Sequence, residues 1–261
     1  MSQLQLSVLL SLLCVVLLAV AGRRPYIEEF RGRLRRTIAA LLLIGILALA
    51  VFSSVTSFGE ASEIDPDTIW LPLLLAGHAF LATFLFLWWW LRGDVTVTRF
   101  LRLSGDNLWT KVRVGVSAGC GGWLLTVMVT GAVAGVAAVG GRVSEASAVP
   151  PIMVWLTGLP LAYKLAIVVA AMTVEEAFFR GFLQPRFGLL ASSVLFAFSH
   201  FNYGLPFLIV GVFTISLVIG STLARTGDLL PCIIAHGIFD SVQLFIVLPL
   251  VVRWWSSSPS G

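Results

Sequence analysis

Six side chains set in apolar surroundings carry the chemistry this sequence offers: Glu175, Glu176, Arg180, His200, His236 and Asp240. Glu176 and Arg180 stand at i and i+4, so on a helix they share a face where a carboxylate and a guanidinium neutralise each other. Glu175 is turned by about 100° from that face and has no cationic residue three or four positions away. A carboxylate and an imidazole within hydrogen-bond reach form a general-base pair that can activate water. Glu175 with His200 could do this. His236 and Asp240, again at i and i+4, could line the opposite side of an attacked carbonyl and stabilise its oxyanion. Each group also has a reading without catalysis. The Glu176–Arg180 pair can lock two packed helices, and the histidines can serve as interhelical hydrogen bonds.

The elements that must position these groups are membrane helices. Hydrophobic residues make up 58% of the 261 and charged residues only 11%, against roughly 25% charged in a soluble domain; mean hydropathy is +0.98. Each span needs about 20 apolar residues, and the apolar runs fall at about 4–22, 38–58, 69–91, 114–139, 163–183, 187–202, 205–224 and 229–252. The expected fold is all-α, a polytopic transmembrane bundle of about eight spans with an intramembrane site in the last four. Residues 1–150 would hold four N-terminal spans, 151–255 a catalytic core and 256–261 a disordered tail.

The formal charge of +4 does not point to nucleic acid, because the basic residues sit at the ends of apolar runs. Arg23, Arg24, Arg31, Arg33, Arg35 and Arg36 follow the first run, and Arg92, Arg99, Arg102, Lys111 and Arg113 follow the third. Glu60, Glu63, Asp65 and Asp67 occupy a loop without Lys or Arg. The positive-inside rule then places both termini outside, with the chain in the cell membrane. Trp88-Trp89-Trp90 reads as an interfacial aromatic belt, and Gly131 with Gly135 as a small-residue contact between helices. Pro150, Pro151 and Pro160 bound a segment that can hold a short interfacial helix. Cys14, Cys120 and Cys232 read as small buried hydrophobes, and His78, alone in its apolar run, as a structural histidine.

Depth can be counted from the turns. Glu175 lies ten positions before Pro185 and His200 fifteen after it, so both sit about 15 to 18 Å up antiparallel helices. His236, eight positions beyond Asp228, lies about 12 Å in from the same face. Three helices thus bring polar groups to one cytoplasm-facing half of the bundle.

Glu175-Glu176-Ala-Phe-Phe-Arg180, Phe196-Ala-Phe-Ser-His200 and His236-Gly-Ile-Phe-Asp240 resemble the E-E-x-x-x-R, F-x-x-x-H and H-x-x-x-N/D motifs of the CAAX-protease and bacteriocin-processing (CPBP) intramembrane endopeptidases. The likeness covers about residues 160 to 250. It implies that Glu175 and His200 activate the attacking water and that His236 and Asp240 form the oxyanion site; the Glu176–Arg180 pair, read from its own spacing, would fix the helix and the local field. The implied partners are the lipid bilayer and a peptide or lipidated protein substrate. No cofactor is required on a glutamate mechanism; a zinc mechanism would draw on Glu175, His200 and His236, although the H-E-x-x-H pattern is absent. Where many members have Asn, Asp240 donates only when protonated; otherwise it would orient His236, hold it protonated or join a metal site. Two other classes stay open: a proton-coupled transporter, and a non-catalytic immunity or scaffold protein.

Overall fold

The computed structural model describes residues 29–56, 71–140, 151–200 and 206–257, and among these the regular elements are all helices. They are α1 (Arg33–Thr56), α2 (Leu71–Arg92), α3 (Leu108–Val139), α4 (Pro151–Gly158), α5 (161–187), α6 (Leu189–Ser199), α7 (Pro206–Thr226) and α8 (Leu230–Ser257). A one-turn helix, Val97–Phe100, lies between α2 and α3. The first apolar run, the acidic loop at 60–67 and residues 258–261 lie outside the described residues. Helix α8 continues to Ser257, two residues into the segment expected as tail.

Among the described residues, three helical stretches are long and apolar enough to cross a membrane: Leu108–Val139, Ile209–Thr226 and Leu230–Ser257. The expected sixth span is shorter than its apolar run. Helix α6 has 11 residues, a rise of about 16 Å, or half the hydrocarbon thickness. It starts after Gly188, whose φ of +88° suits a residue without Cβ. The turn is therefore at Gly188 and not at Pro185. Pro185 lies inside α5, just past the wider winding of Ala177–Leu183 and three residues before Gly188.

Helix α3 holds the bundle together through glycines other than the expected pair. A Cβ at Gly115 would stand 2.8 Å from the Pro231 carbonyl, one at Gly119 2.9 Å from that of Ala235, and one at Gly122 2.6 Å from Ile215 Cδ1. Gly131 and Gly135 would meet nothing within 4 Å. The close face is therefore the one carrying 115, 119 and 122, which lets α3 approach α8 and α7 closely enough for van der Waals attraction.

The tryptophan run is split as well. Trp90 is exposed, but Trp88 is fully buried, its ring 5.1, 5.8 and 4.8 Å from Phe30, Phe84 and Phe182. Arg186 stacks on the same cluster, 4.1 Å above Phe182. Cys232 is buried as expected, whereas Cys120 is exposed on the surface of α3.

A polar clamp ties the start of α3 to that of α8. Asp228 accepts from Ser104 N (2.9 Å), Ser104 Oγ (2.7 Å) and Lys111 Nζ (2.8 Å), and it caps α8 through the Leu230 amide (2.8 Å). Burial pushes the Asp228 carboxyl upward, but the Lys111 ammonium, Ser104 and these amides together hold it below the usual carboxylate range.

Candidate active site

The helix that carries both glutamates is wound more widely than an α-helix. Ala171–Glu175 and Ala177–Leu183 make i→i+5 turns, a winding often found at functional sites. Every residue from Ala177 to Leu183 is buried, so this stretch of α5 is enclosed on all sides. Its two successive glutamates serve different neighbours.

Glu175 faces two histidines. Its Oε1 lies 3.0 Å from His78 Nε2, and its Oε2 lies 3.7 Å from His200 Nε2. That second oxygen is buried without a hydrogen-bond partner. His200 follows α6 as its C-cap, with its amide on the Ala197 carbonyl. The ring Nδ1 is 2.8 Å from the Phe196 carbonyl. A carbonyl only accepts, so Nδ1 carries a proton, which leaves Nε2, turned toward Glu175, as the nitrogen that can act as a base. The early stop of α6 is what leaves His200 at this depth.

Glu176, fully buried, belongs to a separate chain. Its Oε2 is 3.4 Å from Arg180 Nε and its Oε1 is 2.8 Å from His236 Nδ1; His236 Nε2 is in turn 3.2 Å from Asp240 Oδ2. Both ring nitrogens face carboxylates, so either the ring is an imidazolium or Asp240 carries the extra proton. The four residues sum to zero charge in both cases, which is how they tolerate burial. Arg180 also donates to Ser216 Oγ at 3.2 Å and lies 4.6 Å from the Phe196 ring centre. Phe196 is the common floor, its ring 4.6 Å from His200 and 5.7 Å from His236.

The structure thus brings all six sequence-predicted residues into one neighbourhood but arranges them in two groups. Glu175 and His200 form the expected pair. The expected separate oxyanion pair is instead linked through His236 to Glu176, with both ring nitrogens of His236 already engaged. His78, expected to have no matching partner, is the hydrogen-bond partner of Glu175. Chain spacing could not pair residues 97 positions apart. The signal available was its rarity, as the one ionisable residue at comparable depth in the first four apolar runs.

Among the described residues no group of three or more His, Cys, Asp or Glu side chains is arranged to hold a metal ion. The conditional zinc set of Glu175, His200 and His236 is divided, because His236 lies on Glu176.

Residues 157–242 match the family described as Type II CAAX prenyl endopeptidase Rce1-like. A Bacillus subtilis (strain 168) protein described as uncharacterized protein YpbD is 41% identical over 69 residues, 26% of this chain and 36% of that one. The chain therefore matches about a third of the length of that curated relative. No solved structure matches. The family match contains Glu175 through Asp240 and leaves out His78 on α2.

Proposed function

We propose, on the premise that residues 157–242 are a Type II CAAX prenyl endopeptidase Rce1-like domain of an integral membrane protein, that the chain is an intramembrane endopeptidase acting through Glu175 and His200. The observation that carries this reading is the buried, unpartnered Glu175 Oε2 at 3.7 Å from His200 Nε2. That gap is too long for a direct hydrogen bond and suits one water oxygen held by both groups. Glu175 or His200 takes a proton from this water as its oxygen bonds to the scissile carbonyl carbon. The same proton then passes to the departing amide nitrogen as the C–N bond breaks, so the base is regenerated.

Asp240 is the more accessible end of the Arg180–Glu176–His236 chain, its side chain 26% exposed. Asp240 donates toward the oxyanion when it holds the shared proton and turns that O–H from His236 Nε2 to the developing charge. The mechanism as proposed uses no metal. The substrate class is a membrane-associated peptide or lipidated protein of the CAAX type. The chain forms about eight membrane segments in the cell membrane with both termini outside, α6 reaching only to mid-depth, and the site opens toward the cytoplasm as the basic loops suggest.

The test is cleavage of a prenylated CAAX peptide by protein reconstituted in liposomes, comparing wild type with Glu175→Ala and His200→Ala. Both variants lose cleavage while inserting and unfolding like wild type, and chelator leaves the wild type active. Undiminished cleavage by either variant would remove the proposal.

A further inference from the structure

Helices α3 and α7 pack against each other through small residues. At Gly122 an added Cβ would stand 2.6 Å from Ile215 of α7, and at Gly211 of α7 one would stand 3.1 Å from Thr130. Nearer its start, α3 turns its close face to α8 instead, through Gly115 and Gly119. A cleft of about 830 Å³ lies along the seam between α3 and α7, a volume typical of a site for a small amphiphile.

The two ends of this cleft differ in character. Arg113 from α3 and Arg225 from α7, both exposed, line one end; Leu125 lies further along α3, twelve residues or about 18 Å away, with Leu217 on α7. Ser117 and Ser221 stand between. No carboxylate is among the lining residues. Both helices include stretches apolar enough to cross a membrane, so the apolar part of the cleft lies at the depth of acyl chains.

We propose that this cleft binds one anionic phospholipid, its phosphate held between Arg113 and Arg225 and an acyl chain directed toward Leu125 and Leu217. Two guanidiniums provide paired donors for a phosphodiester. A zwitterionic headgroup would bring an ammonium that meets no carboxylate in the cleft, so a net negative headgroup is preferred. Basic pockets between transmembrane helices commonly hold such headgroups. The site is separate from Glu175 and His200, and its occupancy does not depend on the proposed protease activity.

The test uses the full chain purified in detergent, mixed with phosphatidylglycerol or phosphatidylcholine and read by native mass spectrometry. Wild type retains one phosphatidylglycerol with a preference of roughly tenfold or more over phosphatidylcholine, and millimolar inorganic phosphate does not displace it. Arg113→Gln with Arg225→Gln removes the preference. Arg99→Gln with Arg102→Gln, at basic residues outside the cleft, keeps it. Leu217→Trp, which fills the apolar part and leaves both arginines in place, lowers retention with unchanged unfolding. Equal retention of the two lipids by wild type, a preference that survives the Arg113/Arg225 change, or an equal loss in the Arg99/Arg102 variant would overturn the proposal. So would displacement by phosphate alone, which would mark a free-anion site.

Discussion

His78→Ala removes the donor 3.0 Å from Glu175 Oε1 and leaves a carboxylate only 13% exposed without that hydrogen bond. A hydrogen bond to a charged group contributes about 1.5–3 kcal/mol. If it also fixes Oε2 against the attacking water, the same energy is lost from the transition state, and kcat falls by about 10- to 150-fold. KM changes little, because His78 touches Glu175 and not the substrate. His78→Gln, which keeps an N–H donor, recovers part of the rate. The assay is kcat and KM on a prenylated peptide in proteoliposomes, with unfolding curves for each variant. In a double-mutant cycle, His78→Ala adds little once Glu175 is Gln, since the two act on one interaction. Strictly additive losses, or a His78→Ala enzyme with wild-type kcat beside an inactive Glu175→Ala, would refute the pairing.

The clamp, the helix contacts and the buried charges give further expectations. Asp228 is held below its usual pKa, so its stabilising contribution is present above the unfolded value near 4 and is lost as pH falls through the lower folded value. Wild-type Tm therefore drops below about pH 4, while Asp228→Asn starts lower at pH 7 and falls less across the same window, as scanning fluorimetry would read. Gly115→Ala forces a Cβ to 2.8 Å from a backbone carbonyl and costs about 1–3 kcal/mol in unfolding curves; Gly131→Ala, in open space, is neutral or stabilising. Glu176→Gln leaves the fully buried Arg180 without its counter-charge and lowers stability by about 3–5 kcal/mol, seen as a fall in Tm and in yield.

The pairing of Glu175 with His200 was legible because apolar run lengths and turn positions give depth, and two groups at one depth on adjacent helices can meet. The Glu176–Arg180 pair was legible because an i, i+4 contact is local; it survives even in the wider winding of α5. What spacing could not reveal was azimuth, the direction in which each face points once the helices pack. That is why His236 was expected across the substrate when it lies on Glu176, and why Gly131 and Gly135 read as an interface when the packed face carries Gly115, Gly119 and Gly122. Trp88 misled for a related reason: an indole near a membrane boundary reads the same on either side of the helix, and here it turns inward onto Phe182.

The same question of azimuth bears on where the functional unit begins. The family match and the three motifs all lie within 157–242, which suggests that the N-terminal helices are accessory. Helix α2 does not behave as an accessory. It supplies His78 to Glu175, and its Phe84 packs on Phe178 and Phe182 of α5 at 5.6 and 5.0 Å, beside Trp88 on Phe182. A helix that presents carboxylates in two directions must have neighbours on both, because an unpaired charge or a bare aromatic face at membrane depth is costly. Helix α8 provides them for Glu176, and α2 together with α6 for Glu175. The smallest unit that completes the surroundings of both glutamates therefore starts with α2, well before the first motif.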